Sequence, residues 1–266
     1  MSIEGRPGSE RSVATIHATL DAGVTFIDTA DSYHRDAAEV GHNEELIAGA
    51  LRSWGGDSSQ ILVATKGGHL RPGDGSWVRN GNPDYLKKAA KASASRLGVE
   101  AIGLYQFHRP DDDVPYAESI GALVDLLDEG VIEFAGISNA NIAQIDEARS
   151  ILGDRLVSVQ NQFSPVFRSS LAELQHCAEL GIAFLPWSPL GGISRAGSLG
   201  SEHAPFARVA EAHGVSPQQV ALAWELSLAP VVIPIPGASR PESIRDSAKA
   251  VDLILDDTEL AQLSAS

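Results

Sequence analysis

Short apolar runs and longer amphipathic stretches take turns along this chain. The runs are VTFID (24–28), ILVATK (61–66), IGLYQFH (102–108), EFAGIS (133–138), LVSVQN (156–161), IAFLPW (182–187) and VVIPIP (231–236). Each lacks the in–out alternation of a half-solvated strand, and so reads as a strand covered on both faces of a parallel sheet. Between them, apolar spacing of three and four residues predicts helices over 12–22, 43–54, 84–97, 115–129, 141–152, 169–180, 216–228 and 241–250. Asn82-Pro83-Asp84, Asn139 to Asn141 and Ser216-Pro217 supply starting signals for three of them. Strand then helix, seven times over, predicts parallel strands joined by right-handed crossovers.

Two irregular segments interrupt the rhythm, Gly67–Asn82 and Gly191–Ala204, each after a strand's C-terminal end, where long loops tend to carry function. Arg71, Asp74 and Trp77 lie on the first of them. No G-x-G-x-x-G follows the first run, which favours a barrel over an open dinucleotide-binding sheet. No linker divides residues 1–266, and about 250 residues is ordinary for one α/β barrel domain. Such a barrel has eight strands, about one more than can be read here. Residues 1–11 hold only Ile3 as a strongly apolar residue after the start. The expected fold is therefore a (β/α)8 TIM-type barrel whose first strand is missing, leaving the runs at 24–28 and 231–235 with unpaired edges.

Composition narrows the partners. Hydrophobic residues make up 43% of the chain, enough for a sizeable core. Acidic residues outnumber basic ones 35 to 20, for a formal charge of -15. Nucleic acid and anionic membrane would be repelled, and any bound anion must meet a local positive site. No run of about 18 apolar residues occurs, and the expectation is a soluble, cytoplasmic protein, monomeric or weakly self-associating. Cys177 is the only cysteine, so no intrachain disulfide is expected. His34, Asp36, Glu39 and His42 share a polar loop without ligand spacing, and no metal is expected.

The chemistry should sit where strands end. Asp28, Lys66 and His108 end three successive runs, and Tyr33 follows Asp28 closely enough to fold back over the same mouth. A free phenol has a pKa of about 10, and pulling it towards neutrality takes about 3–4 kcal/mol favouring phenolate. An ammonium about 4 Å away supplies about that much at an effective dielectric of about 20. Lys66, steadied by Asp28, would thus acidify Tyr33, while His108 donates a hydrogen bond to a carbonyl oxygen. A glycosidase would need a second strand-end carboxylate beside Asp28, and none is present.

GVTFIDTADSY (23–33), NEELIAGAL (43–51), VATK (63–66), LYQFH (104–108), GISN (136–139), VQNQFSP (159–165), PWSPLGG (186–192) and IPIPGASRPESIRDS (233–247) together resemble the aldo-keto reductase family, in the family's order over nearly the whole chain. The resemblance implies a barrel oxidoreductase that reduces an aldehyde or ketone with NADPH in preference to NADH. It implies a catalytic tetrad of Asp28, Tyr33, Lys66 and His108, with Tyr33 as proton donor. Ser138, Asn139 and Gln160 match positions that bind the nicotinamide carboxamide, and Trp187 an aromatic stacked on its ring. Ser188, Leu190 and Gly192 match the loop over the pyrophosphate. Gly237, Ser239 and Arg240 match the 2′-phosphate site, with Asp246 and Ser247 near the adenine. Ser243 stands where many members carry Arg. Met1 falls where the loop after a first strand would stand, which leaves two readings open, a misplaced start with the strand encoded upstream or a real truncation. The alternative reading is a relative that binds the cofactor for redox sensing or interaction, with little or no catalysis.

Overall fold

The computed structural model describes residues 8–35, 37–192 and 195–265. Helix α1 (Ser9–Asp21) leads into strand β1 (Phe26–Asp28), α2 (His42–Ser53), β2 (Leu62–Gly67) and a small hairpin of β3 (His69–Leu70) and β4 (Val78–Arg79). Next come α3 (Pro83–Leu97), β5 (Ile102–Phe107), α4 (Tyr116–Asp128), β6 (Ile132–Ser138), α5 (Ile142–Leu152), β7 (Leu156–Gln160), α6 (Leu171–Leu180) and β8 (Ala183–Phe184). The last part is helical: α7 (Leu199–Glu202), α8 (Ala204–His213), α9 (Pro217–Leu228), α10 (Pro241–Ala248) and α11 (Asp257–Ser264). The starting signals do what their chemistry suggests. Asn82 caps α3 by accepting from the amides of Asp84 and Tyr85, Asn141 forms a capping box with Gln144, and Ser216 accepts from Gln219.

Six strands form one sheet in the order β1-β2-β5-β6-β7-β8, all paired in parallel. This sheet is curled, and one hydrogen bond proves it. β1 and β7 stand four places apart, which in a flat sheet is about 19 Å at about 4.8 Å per strand. Yet the Gln160 Nε2 of β7 donates to Asp28 Oδ1 of β1 at 2.9 Å. The wall therefore wraps round and brings inward side chains of distant strands together, as in a (β/α)8 barrel. Those inward positions are polar: Asp28, Lys66, Gln106, Ser158 and Gln160 bond to one another. Gly136 leaves them room, since a Cβ there would lie 2.2 Å from Ser158 Oγ and 2.9 Å from Gln106 Cγ. Outward residues of β5 such as Tyr105 and Phe107 join Leu86, Ile120 and Leu123 in the main apolar core under the helices.

The run at 231–236 departs from its expected strand. It forms a single bridge, Val232 to Phe184. The Ile233 and Ile235 amides donate to the carbonyls of Phe184 and Pro186, at 2.9 and 3.3 Å. Alternation turns positions 234 and 236 the other way, and both are proline, with no N–H to offer a neighbour. Among the described residues no strand precedes β1. All three residues of β1 are half-buried, whereas the last four of β2 are buried, as expected for a rim strand beside an inner one.

Candidate active site

Lys66, the penultimate residue of β2, has no exposed surface. Its three ammonium protons have three acceptors: Asp28 Oδ2 at 2.6 Å, the Thr29 carbonyl at 2.6 Å and the Tyr33 hydroxyl at 3.3 Å. The ammonium also lies 4.9 Å from the centroid of the Tyr33 ring. Asp28 Oδ1 accepts from Gln106 Nε2 at 3.1 Å and from Gln160 Nε2 at 2.9 Å. A buried ion pair is tolerable only when its remaining donors and acceptors are satisfied, and here they are. Burial works against the Lys66 cation, but Asp28 and Tyr33 outweigh it and hold the ammonium above its ordinary 10.5.

Tyr33 corrects one expectation. Burial pushes its phenol above the ordinary value of 10, and the pull of Lys66 only moderates the rise. Desolvation of the phenolate outweighs the nearby cation. A group that keeps its proton at neutral pH is still suited to donating it. His108 lies edge-on to Tyr33, with ring centroids 5.9 Å apart. Burial, then Lys66, His69 and Arg109, drive its pKa well below 6.5, so the imidazole is neutral.

The structure brings Ser138, Asn139, Gln160 and Trp187 to the same mouth. Ser138 Oγ donates to the Gln160 carbonyl at 2.8 Å, and Asn139 Nδ2 donates to the His108 carbonyl at 3.0 Å. Asn139 has φ 57, a left-handed conformation that Asn tolerates better than most residues. Its Oδ1 accepts from Trp187 Nε1 and from Arg109, both at 3.2 Å. Ser188 has φ 54 and Gly192 φ 93, so the backbone after Trp187 turns sharply; Leu190 is buried within that turn. A third group lies apart in sequence, around the start of α10. Ser239 accepts Arg11 Nε on its carbonyl at 2.8 Å. Arg240 is exposed, and its Nε donates to Ser243 Oγ at 2.8 Å. Gly237 is exposed, and Ser247 is half-buried. Asp246 has both oxygens engaged at 2.6 Å, by the Ser216 hydroxyl and the Gln219 amide, and so clamps the start of α9. Among the described residues no cluster of three or more metal-ligating side chains occurs, and Asp36 lies outside them.

Sequence reasoning passed over three features of this region. Gln106 stands in LYQFH and faces inward two places before His108, a period-of-two signal for a polar interior. His69, on the hairpin after β2, was missed although its partner Trp77 was noted: the two rings stack with centroids 4.5 Å apart, and His69 meets His108 at 5.1 Å. Asp31, finally, is buried behind Tyr33 near a second ion pair, Glu44 with Arg96 at 2.6 Å. Its Oδ2 accepts weakly from Tyr85 at 3.5 Å, and its Oδ1 has no partner among the described residues. Burial, with Glu44 adding to it, raises Asp31 from 3.8 to about 7.

A folded-state value above the unfolded one means that folding favours the protonated acid. Asp31 therefore costs stability as pH rises from about 4 to about 7, on the order of 4 kcal/mol in all. Glu225, buried on α9 with neither oxygen partnered among the described residues and driven well above 4.5 by burial, adds a slope of the same sign. Asp31→Asn is expected to match the parent near pH 4 and to exceed it at pH 8 by a few kcal/mol. Urea unfolding at the two pH values checks this, and equal gaps at both would refute it.

Similarity to known proteins follows the same lines as the geometry. The model of the Aldo/keto reductase family matches residues 2–266. A 6-dehydroglucose reductase of Novosphingobium aromaticivorans is 34% identical over 243 residues, 89% of this chain and 79% of its own. The structure of a glycerol dehydrogenase from Gluconobacter oxydans superposes with a TM-score of 0.84 at 26% identity, covering 99% of this chain and 87% of that one. An aldo-keto reductase from Klebsiella pneumoniae in complex with NADPH gives 0.80 at 25% identity, over 97% of this chain and 84% of that one.

Proposed function

Because the chain belongs to the aldo/keto reductase family, we propose that it reduces an aldehyde or ketone to the alcohol with NADPH, Tyr33 giving the proton. The observation that carries this reading is the closed cluster of Asp28, Lys66 and Tyr33, with His108 edge-on to the phenol. When bound, NADPH supplies the hydride that reduces the carbonyl carbon. The protein's part is the proton and the charge. Tyr33 passes its hydroxyl proton to the carbonyl oxygen, and the phenolate left behind is met by Lys66 Nζ, already 3.3 Å away. Asp28 keeps that ammonium charged and in place. His108, neutral, donates from Nε2 to the carbonyl oxygen, orienting it and stabilising the negative charge that builds there.

The residues present fit a dinucleotide with an anionic end. Arg240 makes no ion pair among the described residues, so its exposed guanidinium at the start of α10 remains available to a phosphate in a strongly acidic protein. Ser138, Asn139 and Gln160 converge beside Trp187 at the other end, with Ser188, Leu190 and Gly192 between. Gly237, Ser239, Asp246 and Ser247 complete the set proposed to hold the adenosine half. The expected consequence of Arg240→Ala is a fall of about tenfold in the preference for NADPH over NADH, read as the ratio of kcat/KM values, the cost of roughly one charged contact. An unchanged ratio would remove Arg240 from the site.

The relatives' names direct the search for substrate towards hydroxylated carbonyls. Purified chain is expected to oxidise NADPH in step with alcohol formation on at least one member of a panel of sugar-derived and simple aldehydes and ketones. NADPH binding without consumption by any of them would overturn the reading in favour of a non-catalytic cofactor-binding protein.

A further inference from the structure

A working imidazole is normally aimed by a hydrogen bond to its second nitrogen. His108 has none: its Nδ1 is buried without a partner among the described residues. Rings stand on either flank instead. Tyr33 lies edge-on at 5.9 Å and 80°, and His69 edge-on at 5.1 Å and 80°. His69 is itself stacked on Trp77 at 4.5 Å and 26°, and the Arg71 guanidinium lies 5.3 Å from the Trp77 ring. We propose that His69, backed by Trp77, is a positioning residue for His108, holding by ring contact an imidazole whose Nδ1 has no partner among the described residues. This rests on the assignment of His108 to the proposed reduction.

The local backbone is built to deliver that contact. Gly68 has φ +99, and a Cβ there would lie 2.8 Å from the Phe107 ring, so only glycine lets the chain pass this close to β5 and present His69 beside the next residue, His108. The Asn80 amide donates to the Gly68 carbonyl at 3.0 Å and closes the base of the hairpin. His69 pairs across the hairpin with Arg79, which is tied to Asp112 at 2.6 Å, while Arg71 donates to the His34 carbonyl at 3.0 Å. The clamp is thus anchored by contacts that His108 does not share. Burial, then Arg109 and Arg79, hold His69 down at about 4, so it stays uncharged through neutral pH and the contact does not change. Rotation of the His108 ring about its Cβ–Cγ bond would give up the perpendicular arrangement it has with both flanking rings.

The test uses the whole chain labelled with 15N-histidine, and His108→Ala identifies the His108 signals among those of the eight histidines. In the parent, the ring nitrogens of His108 are expected to report one tautomer. In His69→Ala they move towards averaged values, and kcat with the best carbonyl falls about tenfold, a modest share of what misplacing a reacting group can cost, while NADPH affinity is unchanged. His69→Phe keeps a ring without ring nitrogens and is expected to restore both spectrum and rate. Trp77→Ala, on the exposed side of the hairpin, is expected to give a smaller change of the same kind, and serves where His69→Ala fails to fold. Unchanged His108 signals in both alanine variants, or no rescue by phenylalanine, would overturn the proposal. If the spectra respond as expected but the parent reduces no carbonyl, the clamp stands and the proposed reduction falls.

Discussion

Tyr33→Phe is expected to lower kcat for carbonyl reduction by about 10³-fold, within the range of a lost general acid, and to leave NADPH affinity within about twofold. The phenol is the group nearest the Lys66 ammonium that holds a transferable proton, and burial keeps that proton on at neutral pH. Phenylalanine preserves the ring that lies under the cation and beside His108, so the pocket keeps its shape. What is lost is one acceptor for Lys66, worth about 1–2 kcal/mol of stability, and the whole route for the proton. Steady-state rates beside a fluorescence titration with NADPH separate these effects. Parent-like turnover in the variant would end the assignment of Tyr33, whatever the titration shows.

Lys66→Met carries the largest expected change in stability. It leaves Asp28 buried with only the Gln106 and Gln160 amides to offset its charge, and breaking one side of a buried pair costs about 3–5 kcal/mol. For a domain of this size that lowers Tm by roughly 10–15 °C, and activity is lost with the ammonium. Adding Asp28→Asn should recover most of the stability and none of the activity, because the orphaned charge is then gone. The pH dependence has a definite sign. The ammonium is held above 10.5 in the folded protein, so its stabilisation is complete below that value and is lost as alkali strips the proton. Parent and variant should therefore converge in Tm at strongly alkaline pH. A gap that stays constant through the alkaline range would mean that Lys66 stabilises the fold by packing alone.

Much of this was legible in the residues because the barrel repeats one simple rule, and the rule fails where local chemistry departs from it. Asp28, Lys66 and His108 could be read as neighbours because successive parallel strands end at one mouth. That Gln160 would reach Asp28 could not be read, since it depends on how tightly the wall curls. The segment at 231–236 looked like a strand by its apolar content, but its prolines withhold the amide donors from one side. The β3–β4 hairpin has two residues per strand, too few for any alternation to show. Helices α8 and α11 were missed although signals were present: Phe206, Val209 and Ala210 make a helical stripe, and Asp256 with Glu259 makes a capping box. Both follow irregular stretches, where periodicity has no preceding strand to frame it. Tyr33 shows the other limit. Charge partners can be listed from spacing, but dehydration of the phenol is a property of the packed protein.

Pro234 and Pro236 also bear on how copies of this molecule could join. Filaments grow when two unlike rims meet head to tail and the contact repeats without closing. Here one rim withholds its amide donors at alternate positions, so that contact lacks half of its ladder and each added copy gains little. The prolines thereby make this rim a poor template for a further strand.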